Sequence, residues 1–255
     1  EGQLDGGDDE PEVGFGLGPV EAERWVKDWV RAPLAIKTVT SMPKVWYNSN
    51  SNAPADHPRN EVEIDAAVAY LFANGEAYAP AVPAPPRGNP QAGEQIVRSV
   101  GCLGCHIIDE NDRAAAGPRR TFGQPLKSVG SKTTYVWLYN WVRDPKHYNP
   151  ATYMPDMRLT DPQVADVATY LTTLTGSTGT AAPVTPTPAQ ADEVLLEYLR
   201  NVMPLAEAQA RLAKMDATAK QLDLGQRVIA RQGCFSCHDI KGFETTQPIG
   251  VELSE

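Results

Sequence analysis

Two stretches set a pair of thiols beside an imidazole: Cys102-Leu103-Gly104-Cys105-His106 and Cys234-Phe235-Ser236-Cys237-His238. Two thiols on one turn reach two vinyl groups on one porphyrin edge, and the next residue then turns its imidazole towards the metal. These pairs use all four cysteines of the chain, and a glycine, Gly101 or Gly233, stands directly before each. Paired cysteines also form disulfides or hold zinc. A histidine after both pairs and a glycine before both favour covalent haem c, with at least two groups attached.

The elements that must position these residues read as helices. Pro90 to Val100, with Asn89 as its cap and Pro90 in its first turn, delivers Cys102, and Leu222 to Gln232 delivers Cys234. Glu21 to Ala32 is amphipathic, carries Trp25 and Trp29, and stops at Pro33. Thr133 to Arg143 is its counterpart, with Trp137 and Trp141, and stops at Pro145. Glu61 to Phe72 is expected to start on a capping box of Asn60 and Glu63, and Thr160 with Gln163 starts a helix running to about Leu174. Ala191 to Ala217 is helical apart from an interruption at Pro204. The stretches at 78–90 and 176–190 are rich in Pro with Ala or Thr and are expected to act as linkers.

The chain repeats itself. Trp25, Trp29, Val30, Arg31 and Pro33 correspond to Trp137, Trp141, Val142, Arg143 and Pro145. Met42 lies nine residues after Pro33, and Met154 nine after Pro145; each precedes a proline. Tyr70-Leu71 answers Tyr170-Leu171, and Gly93 and Gly101 answer Gly225 and Gly233. The repeat divides the chain into a back half (1–77), a linker (78–87), a whole repeat (88–176), a second linker (177–190), a helical connector (191–221) and a front half (222–255).

The whole repeat resembles a class I cytochrome c domain: helix, C-x-x-C-H, Gly117-Pro118 loop, Trp-bearing helix, Met154-Pro155, and a final helix ending in Tyr170-Leu171. The resemblance implies an all-α fold of tandem small haem domains, with His106 proximal and Met154 as sixth ligand. A thioether opposite one imidazole raises the reduction potential, which suits electron transfer. It also implies that a proline carbonyl, Pro118 here and Pro248 in the last segment, orients the proximal ring. Gly93 is implied to pack against Tyr170. His147 and Met157 compete locally with Met154; a surface site for the first and a core site for the second fit their positions better.

His238 and Met42 are the remaining iron ligands expected. No haem motif precedes Met42 in this sequence. Either the chain is cut mid-domain at both ends and Met42 serves an upstream haem, the reading the abrupt ends favour, or the two halves associate, within one chain or between neighbours, so that Met42 serves the haem on Cys234, Cys237 and His238. Met203-Pro204 imitates a ligand step but lies in a helical run.

A net charge of −9 excludes the basic footprint of a nucleic-acid binder and suits docking to a basic patch on a redox protein. No run of 18 apolar residues spans a membrane, and Glu1 to Glu10 lacks the features of a secretory signal. Covalent haem attachment places the protein at the periplasmic or extracytoplasmic face of a bacterial membrane. The function expected is single-electron transfer between redox partner proteins, subunits of a respiratory or photosynthetic membrane complex, without substrate conversion. The alternatives are a dihaem peroxidase-like enzyme with one open iron, and a zinc-stabilised structural module.

Overall fold

The computed structural model describes residues 19–37, 40–47, 57–75, 78–109, 123–176 and 185–246. Every regular element among them is helical: α1 (Pro19–Arg31), α2 (Pro33–Ile36), α3 (His57–Asn74), α4 (Pro90–Ser99), α5 (Tyr135–Arg143), α6 (Pro145–Tyr148), α7 (Asp161–Thr173), α8 (Pro188–Arg200), α9 (Leu205–Lys214) and α10 (Ala217–Gln232). Single 3-10 turns at Cys102–Gly104 and Cys234–Ser236 carry the thiols. Among the described residues no helix is long and apolar enough to cross a membrane. The chain divides into two compact units, one holding residues 76–180 and the other 26–36, 40–75 and 181–255, with short N-terminal pieces assigned to the first.

In the first unit, α4 lies along α7, and α5 packs on α7 from another side. Asn89 starts α4 by accepting from the amides of Gln91 (2.9 Å) and Ala92 (3.0 Å). The α4–α7 crossing is close because Gly93 has no side chain: a methyl there would lie 2.9 Å from Tyr170 Cβ and closer still to the Asp166 carbonyl. The Gly93–Tyr170 packing implied by the resemblance is therefore present. Val97, Leu138, Val142, Val164, Ala168 and Leu171 fill the core between the helices.

The proline-rich stretch at 78–87 was expected to be a linker, yet it lies against α5. The buried Asn140 accepts from the Val82 amide (2.8 Å) and donates to the Val82 carbonyl (2.9 Å). Tyr135 donates to the Pro86 carbonyl, and the Arg87 guanidinium stacks over the Tyr135 ring, 3.9 Å from its centre. One buried amide thus satisfies both polar groups of a strap residue, which a sequence rich in Pro and Ala does not announce.

In the second unit, α3 and α10 form the corresponding pair, and α8 packs on both. The stretch read as a connector is therefore part of a core: Val194, Leu195, Tyr198 and Leu199 are buried with Val62, Ile64, Val68, Leu224, Val228 and Ile229. Several boundaries differ from expectation: α8 begins at Pro188 rather than Ala191, and the helical run breaks again at Met215-Asp216. Helix α10 begins five residues before Leu222, because Asp216 caps it by accepting from the Ala219 amide (2.8 Å). Helix α3 begins at His57, with Pro58 in its first turn, so Asn60 is internal and no capping box forms with Glu63. Glu63 turns inward instead, where its carboxylate accepts from Trp46 Nε1 (3.1 Å), Tyr198 OH (3.1 Å) and Arg59 Nε (3.1 Å).

Candidate haem centres

Each thiol pair is placed by the same local device. The residue before Cys102, Gly101, has φ 102°, and the residue before Cys234, Gly233, has φ 69°. Both lie in the left-handed region that a side chain disfavours, so the chain leaves its helix and enters a 3-10 turn within one residue. In that turn the amides of Cys105 and His106 both approach the Cys102 carbonyl (3.1 and 3.0 Å), and those of Cys237 and His238 the Cys234 carbonyl (3.2 and 3.1 Å). Cys102 and Cys234 are half-buried, and burial pushes both thiols up; Cys105 and Cys237 are exposed, and no disulfide joins any of the four.

His106 Nδ1 donates to the Gln124 carbonyl at 2.7 Å. That bond puts the ring proton on Nδ1 and leaves Nε2 with its lone pair for a metal. Burial pulls the imidazole below its ordinary value, against the opposing pull of that carbonyl, and so favours the neutral, ligating form. Gly123 closes the ring's other approach: a methyl there would lie 2.9 Å from His106 Cγ and nearer to Nδ1 and Cε1. The orienting carbonyl was expected from Pro118. Pro118 lies outside the described residues, and the carbonyl on Nδ1 belongs to Gln124, whose neighbour Pro125 follows it. Gly123 and Gln124 thus join His106 at this site, and the Gly-x-Pro spelling of 123–125 is their signal in the sequence.

Met154 is half-buried, and its Sδ accepts from Trp141 Nε1 at 3.0 Å, while its amide donates to Thr152 Oγ1 at 3.2 Å. Trp141 stacks on Trp137 with ring centres 5.1 Å apart. The tryptophans that repeat in the sequence thus include one that seats the thioether. Of the local competitors, His147 is exposed, its amide bonded to Asp144 Oδ1 (3.2 Å), and Met157, expected in the core, is half-buried like Met154.

The Cytochrome c family model matches residues 90–175. That segment is similar to a cytochrome c domain. It spans α4, the first thiol pair, His106, α5, Met154 and α7, the same elements the packing joins. No solved structure matches the chain. The residues fit haem c: thiols on one turn, an imidazole with Nε2 free to ligate, and a thioether held by its own tryptophan. Among the described residues no three His, Cys, Asp or Glu side chains converge as a metal-ion site.

In the second unit, His238 carries the corresponding position. Pro248 lies outside the described residues. Met42 is half-buried beside the core of this unit, and its amide donates to Thr40 Oγ1 at 3.1 Å, the bond Met154 makes to Thr152.

Proposed function

We propose that this protein carries single electrons between redox partner proteins through at least two covalently attached haem c groups. The first would be bonded to Cys102 and Cys105 with His106 and Met154 as axial ligands, the second bonded to Cys234 and Cys237 with His238. Haem c supplies the one-electron Fe(III)/Fe(II) couple when bound. The chain's own residues do the rest: Gln124 and Gly123 fix the His106 ring, and Trp141 seats Met154. The observation that carries the reading is the Nδ1–Gln124 bond, which prepares Nε2 as a ligand beside two thiols on one turn.

The acidic surface favours docking to a basic patch on a partner, and a subunit of a respiratory or photosynthetic membrane complex at the extracytoplasmic face supplies one. Pyridine haemochrome analysis with intact-mass measurement tests the reading: two haems per chain, reduced and reoxidised one electron each without turnover of peroxide, are expected. A colourless protein sinks it. One haem that binds cyanide and turns over peroxide replaces it with the peroxidase-like alternative.

A further inference from the structure

We propose that Met42 is the sixth ligand of the haem on Cys234, Cys237 and His238, within one chain, so that this centre is completed by a back half that precedes its front half. The proposal rests on the preceding reading that this thiol pair carries haem.

Three observations in the second unit support it. The first is the helix pair. A methyl on Gly225 would lie 2.7 Å from Tyr70 Cβ and closer to the Ala66 carbonyl, the relationship Gly93 has to Tyr170 and Asp166 in the cytochrome c domain. Helix α3 therefore meets α10 as α7 meets α4, although α3 comes first in the chain.

The second is the segment that follows His238. Tyr70 OH donates to the Lys241 carbonyl at 3.1 Å, and Gly242 has no room for a side chain beside that hydroxyl. Phe243 meets the Tyr70 ring edge-on (6.0 Å) and stacks on Phe235, which lies between the two cysteines (5.6 Å). The thiol turn is thereby fastened to α3.

The third is the methionine step. Met42 repeats the Thr-x-Met bond of Met154, and Met42, Trp29, Cys234, Phe235 and Ile240 pack on one core. The buried Glu63 carboxylate draws together the two stretches concerned: it accepts from Trp46, four residues after Met42, and over a long 3.5 Å from Gln232, two before Cys234. Met203 and Met215 also border this core, but they close the ends of α8 and α9.

The test uses the full, haem-loaded chain at a dilution where sedimentation shows a monomer. Wild type is expected to hold two low-spin haems, each contributing half of the far-red methionine–iron absorption. Met42→Ala should lose half of that absorption, turn one haem high-spin and let it bind carbon monoxide. Met42→His should keep both haems low-spin while losing the same half, which separates ligation from misfolding. Met203→Leu should change nothing. Unchanged spectra in Met42→Ala, or methionine ligation that appears only in a dimer, overturn the proposal. A mass showing haem on the first thiol pair alone instead overturns the two-haem reading beneath it, and the proposal with it.

Discussion

Tyr70 packs against Gly225 as Tyr170 packs against Gly93, with 2.7 and 2.9 Å respectively between the tyrosine Cβ and the place a methyl on the glycine would take. In both pairs the second obstacle is a backbone carbonyl, of Ala66 or Asp166, which cannot swing aside as a side chain can. Gly225→Ala and Gly93→Ala should each force a helix pair apart and destabilise its own unit by about 1–3 kcal/mol, despite the better helix propensity of alanine. Hydrogen exchange resolved by segment checks this: faster exchange in α3 and α10 for the first, in α4 and α7 for the second. Slower exchange in either pair would contradict the crossing described here.

Gly123 is the next site where a single methyl should act. It would enter the space of the His106 imidazole, whose Nδ1 is held by the Gln124 carbonyl. Gly123→Ala should tilt the ring and, if His106 ligates haem iron as proposed, shift that haem's reduction potential, while destabilising the first unit by about 1–3 kcal/mol. Potentiometry of the haem-loaded protein is the measurement. An unshifted potential would mean that the ring does not depend on this contact.

Much of this architecture was legible in the chain because the signals are local. Asn89-Pro90 and Thr160 through Gln163 start α4 and α7 where their caps say. Part of what escaped depends on partners distant in sequence. Glu63 has the spacing of a capping residue, but Trp46 and Tyr198 draw it inward, an outcome decided by α8. Asp216 capped a helix start that apolar periodicity placed at Leu222. The carbonyl on His106 was sought at Pro118 because a glycine-proline pair marks that loop; Gln124 supplies it through a backbone atom, which no side-chain pattern records.

Asn140 offers a test of the strap at 78–87. It satisfies both the amide and the carbonyl of Val82 and also accepts from Tyr148 OH (3.2 Å). Asn140→Ala should leave those groups unpaired and cost about 1–3 kcal/mol. Limited proteolysis is the direct measurement: cleavage near Val82 should become fast while cleavage in α8 stays at its wild-type rate. Equal protection of both proteins would mean that the Tyr135 contacts and the Ala81–Tyr148 bond suffice to hold the strap.

Acid sensitivity should centre on Glu61. Its buried carboxylate takes two bonds from Arg31, at 2.9 and 2.6 Å, and one from Tyr47 OH at 2.5 Å; Arg31 also pairs with Asp28. Burial alone would raise the Glu61 carboxyl, but the bonds from Arg31 and Tyr47 outweigh it and hold the group below the ordinary carboxylate value. A carboxylate depressed on folding stabilises fully above its unfolded value and loses that contribution as pH falls through its folded value. Glu61→Gln should therefore destabilise the second unit at neutral pH, by about 3 kcal/mol for a buried pair broken on one side. The gap from wild type should narrow as pH falls below the ordinary glutamate range, because the wild-type carboxylate then takes up its proton. Denaturant unfolding followed in α3 across that range measures the gap, and a gap that stayed constant into acid would remove Glu61 as the cause.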